Sequence, residues 1–166
     1  MTLRLILMRH AKSSWDDPRQ ADHDRPLNKR GRRSADALGD WLRDKGYLPD
    51  QALSSSSART QETFERLRVN CPVHYQSSLY HAGPAAMMDA LQQAQGQTVL
   101  MLGHNPGIAE FAARLVTHSP DHNRFHDYPT CATLVADFST SAWSGIRFGF
   151  ANPIEFVIPR ELMNVS

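Results

Sequence analysis

The sequence is short of cysteine, of net charge and of long apolar runs, and each shortage excludes a class of function. Cys71 and Cys131 are its two cysteines, and neither belongs to a CxxC or other metal-ligand spacing. A disulfide framework or a thiolate metal site is therefore excluded, and both read as reduced side chains. Eighteen basic residues stand against seventeen acidic ones, for a net charge of +1. That balance lacks the basic excess of a nucleic-acid or anionic-membrane binder, so neither partner is expected. No apolar stretch approaches the roughly 18 residues of a membrane span. The opening Met-Thr-Leu-Arg has no signal-peptide apolar region, so the expected location is cytoplasmic. There is no internal repeat, and the only low-complexity segment is the serine run 54–57.

What is present fits one domain over residues 1–166, long enough to bury its own core. Leu3 to Met8 (LRLILM) and Thr98 to Leu102 (TVLML) are short, nearly continuous apolar runs, as buried strands require. Two further strands are expected at 51–54 and 73–76. Asn28 caps a helix to about Lys45, with Gly46 just past its end, and Ala35, Leu38, Trp41 and Leu42 form its apolar face. The serine run caps a second helix from Ala58 to about Val69. A third starts at Pro84 and runs to about Gln93, and a fourth follows the turn 103–107 to about Val116. Residues 11–27 and 117–130 read as polar loops, and two or three strands are expected to close the chain, at 131–138, 145–151 and 154–158. Alternating strands and helices predict an α/β fold, a three-layer αβα sandwich with a mostly parallel central sheet. The closing strands follow one another without a helix, so at least one is antiparallel.

Arg9-His10 follows directly on the first strand, His104 directly on the strand 98–102, and Arg59 lies in the first turn of the helix after the second strand. Ligands of open α/β sheets bind at the carboxyl ends of strands, so these four side chains are expected to face one anion. The chemistry suits phosphoryl transfer. Neutral imidazole is a nucleophile near pH 7, and arginine forks stabilise charge on the equatorial oxygens. No metal or cofactor is implied. Each residue alone is weak: an arginine in a first helical turn is usually solvated, and Gly-His-Asn-Pro-Gly is usually a capped turn.

The motifs carrying these residues resemble those of the histidine phosphatase superfamily, which includes the phosphoglycerate mutases. LMRHAKSSW is similar to its strand, Arg-His and Ser-x-Trp segment. SSSSARTQET is similar to its second motif, VLMLGHNPG to its third, DHDRPLNKRGRRSA to its Arg-Pro-Leu stretch, and YPTCATLVADF to a late Pro-Thr strand segment. The short length and the details MRHAKSSW and GHNPG resemble the compact phosphohistidine phosphatase branch. The resemblance implies that His10 is the nucleophile, that Arg9 and Arg59 bind phosphate, and that His104 binds phosphate and stabilises the transition state. Asn105 and His81 are expected to contact substrate. The family's glycine after the catalytic histidine is Ala11 here, its frequent Asn after the Trp is Asp16, and its Leu-x-Glu acid segment reads Leu79-Tyr80-His81. The site then has His81, Asp16 or nothing as its general acid, which suits a phosphoramidate better than an ester.

The implied activity is removal of phosphate from phosphohistidine on a protein, through a phosphohistidine enzyme intermediate. Two alternatives are a small phosphate ester as substrate, of a phosphatase or phosphomutase, and a non-catalytic phosphate-recognition module. His118, His122 and His126 recur every four residues, but Pro120, Asn123 and Pro129 argue against the helix that would make them metal ligands. Lys12, Arg30, Arg32 and Arg33 form a basic cluster, either a solvated face or a dock for an acidic protein. Oligomeric state is not legible.

Overall fold

The computed structural model describes residues 2–163. Six strands form one sheet: β1 Leu3–Arg9, β2 Gln51–Ser55, β3 Val73–Gln76, β4 Thr98–Gly103, β5 Thr133–Phe138 and β6 Asn152–Val157. Their order is β3-β2-β4-β1-β5-β6. Strands β1 to β4 are mutually parallel. β5 runs antiparallel to both its neighbours, so it alone is reversed. Five helices flank the sheet: α1 Lys29–Lys45, α2 Ala58–Leu67, α3 Pro84–Gln92, α4 Gly107–Leu115 and the short α5 Pro159–Leu162.

The alternation of side chains along β1 and β4 explains the three layers. Ile6, Met8, Leu100 and Leu102 face Ala35, Leu38 and Leu42 of α1 and Leu67 of α2. Leu5, Leu7, Val99 and Met101 face Met87 and Leu91 of α3 and Ile108 and Phe111 of α4. Burial on both faces is why these strands are apolar throughout. Each fully buried Leu, Ile, Met or Phe stabilises the fold by about 1.5–3 kcal/mol. Asn28 caps α1 by accepting a hydrogen bond from the Gly31 N–H, and Gly46 ends it in the left-handed conformation.

Of the three candidate closing strands, two form, β5 and β6. Residues 145–151 do not pair as a strand; Trp143–Gly145 form a 3₁₀ turn instead. Gly149 then takes a left-handed φ of 81°, and its N–H bonds to the carbonyl of Arg114 at the end of α4. Phe148 packs edge-on against Phe111, with the Arg114 guanidinium 4.2 Å above its ring. Packing against α4 has overridden strand propensity here. Strand β6 starts at Asn152, and its Pro153 lies at a register shift on the sheet's edge, where the missing N–H is tolerated.

Candidate active site

Arg9 pairs in register with Gly103 across neighbouring parallel strands. The next residues, His10 and His104, therefore emerge side by side, with ring centroids 5.2 Å apart. Arg59 in the first turn of α2 reaches the same place, its guanidinium nitrogen 3.3 Å from His104 Nδ1. The cleft around them has a volume of about 370 Å³ and is open to solvent. Arg9, His10, Arg59, His81, His104 and Asn105, all expected at the site from the sequence, line it.

His10 is 6 % exposed. Its Nδ1 lies 2.7 Å from the carbonyl of Ala11. Only an Nδ1–H can make that bond, so the tautomer is set and Nε2 keeps its lone pair. Burial pushes the imidazole down to about 3, and the charges of Arg9, Arg59 and Arg25 act the same way. His10 is therefore neutral at physiological pH. The backbone here is held from α2: the Ala11 N–H donates to Thr63 Oγ1 at 3.0 Å, and that hydroxyl donates to the Arg59 carbonyl at 2.7 Å. Ala11 has no left-handed φ, so glycine is not needed at this position.

His104 is likewise pushed down to about 2, by burial first and then by His10, Arg59 and His81. Its Nε2 lies 2.8 Å from Ser55 Oγ, and Nδ1 accepts from Arg59. Arg9 donates to the Tyr128 carbonyl at 3.2 Å. Burial and the nearby Arg59 lower its guanidinium from the usual range. Cations crowded in this way favour an incoming anion.

Asn105 reaches the cleft wall, and its amide nitrogen donates to the carbonyls of Asp127 and Tyr128. It ties the loop 117–130 to α4, the Ala109 N–H donating to its Oδ1. Asp16 is exposed and is not among the lining residues. Among the described residues no group of histidines and carboxylates is placed to hold a metal. His122 instead donates to Glu161 and packs edge-on against Phe156.

Sequence reasoning missed Asp22 and Arg25. Both come from a loop whose 3₁₀ turn, Asp22–Asp24, has no apolar periodicity to announce it. Arg25, 6 % exposed, donates to Asp22 and to Ser13, and stacks 3.6 Å from the exposed Trp15 ring. The Asp22 carboxylate accepts from the Tyr80 hydroxyl, Arg25, Arg59 and His81 Nε2. The bond from Tyr80, with those from the two arginines, holds this carboxyl well below the ordinary carboxylate range. Asp22 is thus fixed as an anion. The signal that could have found it is its place three residues before the arginine of DHDRPL, one turn away.

The family model for the histidine phosphatase superfamily (branch 1) matches residues 5–81. An uncharacterized protein of Mycobacterium tuberculosis is 32% identical over 160 residues, covering 92% of this chain and 100% of the relative. Among solved structures, a candidate phosphohistidine phosphatase SixA from Nakamurella multipartitia superposes with a TM-score of 0.83 at 27% identity, covering 96% of this chain and 97% of that one. Its counterpart from Agrobacterium tumefaciens superposes with a TM-score of 0.78 at 28% identity, covering 95% and 99%.

Proposed function

The chain belongs to the histidine phosphatase superfamily, and from that premise we propose a metal-independent phosphatase that moves the phosphoryl group of protein phosphohistidine onto His10 and then to water. The observation that carries the substrate reading is the state of Asp22. It is the carboxylate of the cleft, and Tyr80, Arg25 and Arg59 keep it ionised. An ionised carboxylate cannot protonate the oxygen leaving from a phosphate ester. A phosphohistidine does not require that proton. With a proton on its distal ring nitrogen, the substrate imidazole leaves neutral as the P–N bond breaks.

In the first step His10 Nε2 attacks phosphorus in line, and the electron pair of the breaking P–N bond stays on the substrate ring. Nucleophile and leaving group are the same chemical group, so the transfer is nearly balanced in energy. The Nδ1–H of His10 remains on Ala11 O throughout and balances charge on the phosphorylated ring. Arg9, Arg25 and Arg59 surround the equatorial oxygens, where fixed donors stabilise developing charge without reorganisation. Neutral His104 accepts from Arg59 at Nδ1 and is held by Ser55 at Nε2, which keeps the Arg59 guanidinium in place for those oxygens. In the second step water attacks phosphorus, the bond to Nε2 breaks, and dihydrogen phosphate leaves as neutral His10 is restored.

The test is a turnover comparison of phosphohistidine protein, free phosphohistidine and phosphate esters, with EDTA present, for wild type and His81→Ala. The expected order places phosphohistidine protein above the esters by at least an order of magnitude in kcat/KM. His81→Ala should cost both substrate classes a similar small factor, mostly in KM, as a rim residue would. Faster ester turnover, with a selective loss of it in His81→Ala, would make His81 a general acid and an ester the substrate.

A further inference from the structure

A second concavity, a groove of about 200 Å³, adjoins the catalytic cleft, and Lys12 and Thr130 line both. Its cations come from four separate segments: Lys12 from the loop after β1, Arg30 from α1, Arg124 from the loop 117–130 and Arg160 from α5. No carboxylate lines it. Among the described residues Arg124 is the one of these four with an ion pair, to Asp127. In a chain of net charge +1, this face carries a concentrated positive field.

Helix α1 adds an independent observation. Its opening residues, Lys29, Arg30, Arg32 and Arg33, are basic, and no acidic residue lies in the first turn. A helix N-terminus favours anions, so this arrangement opposes the macrodipole. Arg32 is used within the fold, donating to the Leu27 carbonyl and pairing with Glu62, whereas Arg30 is exposed, lines the groove and has no ion pair among the described residues, which points to a use outside folding.

Resting on the phosphohistidine reading above, we infer that this groove docks the acidic segment flanking the phosphohistidine of the substrate protein. The occupant follows from the contrast between the two concavities. In the catalytic cleft Arg25, Arg59 and His104 are buried and held in one network, Arg25 and Arg59 through Asp22 and Arg59 through His104, as capture of a single phosphate requires. In the groove Lys12, Arg30 and Arg160 are exposed and spread over several elements. Separated, solvated cations suit several carboxylates along a chain, and give salt-dependent steering rather than tight capture of one anion.

The experiment compares two histidine-phosphorylated peptides of equal length, one with Asp and Glu flanks and one with neutral flanks, as substrates of wild type and of Arg30→Glu/Arg160→Glu. Neither substituted residue lines the catalytic cleft. Wild type should prefer the acidic peptide at least tenfold in kcat/KM, through KM, and lose that preference as salt rises. The double variant should lose the preference while turning over the neutral peptide at the wild-type rate, which also shows that it is folded. Turnover of both peptides by wild type without preference would overturn the docking groove and leave the phosphatase reading standing. A variant that loses both substrates equally would also overturn the groove. Turnover of neither peptide by wild type would remove the phosphohistidine reading and the groove's role with it.

Discussion

An imidazole serves as nucleophile only while one nitrogen keeps its lone pair, and burial among cations secures this for His10. Its neighbours divide the remaining work, and Arg59 is the most constrained of them. It is 2 % exposed and donates to the Asp22 carbonyl and carboxylate and to His104. Arg59→Ala should lower kcat/KM by about 10²–10³, the usual loss for one preorganised donor to developing charge. Arg59→Lys should recover little, because a point charge cannot reproduce the fork; a lysine variant with near wild-type steady-state kinetics would exclude that role. His10, Arg9, Arg59 and His104 were legible because each ends or follows a recognisable strand or opens a helix. Asp22, Arg25, Ser55 and Thr63 were not. They act through long-range hydrogen bonds, which leave no periodic trace in a loop, a serine run or a helix interior. His81 was legible, but its left-handed φ of 56° and its bond to Asp22 were not.

At the scale of elements, the apolar runs of β1 and β4 and the caps of α1 and α2 were readable because their signals are local. Strand order was not, nor was the fate of residues 145–151, which packing against α4 decides. One close approach fixes α1 against the catalytic loop. A Cβ on Gly31 would lie 2.0 Å from the Lys12 carbonyl oxygen, which also accepts from the Asn28 N–H. Gly31→Ala must therefore displace helix or loop, at a cost of about 1–3 kcal/mol. Thermal unfolding should show a Tm lower by on the order of 5 °C, with kcat/KM reduced as the loop from His10 to Trp15 shifts. An unchanged Tm would mean that this contact does not hold the helix in place.

Across the whole molecule, buried histidines tie function to stability. His10 and His104 stay neutral down to about 3 and about 2 in the folded chain, whereas each titrates near 6.5 when unfolded. Between those values the unfolded chain binds protons that the folded one refuses, so stability falls as pH drops below about 6.5. Asp22 acts in the same direction at lower pH. Its carboxyl is depressed by Tyr80, Arg25 and Arg59, so its contribution is present above the unfolded carboxylate pKa and is lost as pH falls through the folded one. The urea midpoint should therefore fall steadily from about pH 6.5 to about pH 4, and less steeply in His104→Gln; a midpoint flat over that range would contradict the neutral state of both rings. Both steps of the proposed reaction pass through a covalent phosphoryl group on His10. Rapid quenching of turnover with labelled substrate, followed by peptide mapping, tests it most directly. The predicted result is an acid-labile, base-stable label on the peptide bearing His10 in wild type, and none in a folded His10→Ala variant. A label on a serine or cysteine, or turnover by His10→Ala at the wild-type rate, would contradict it.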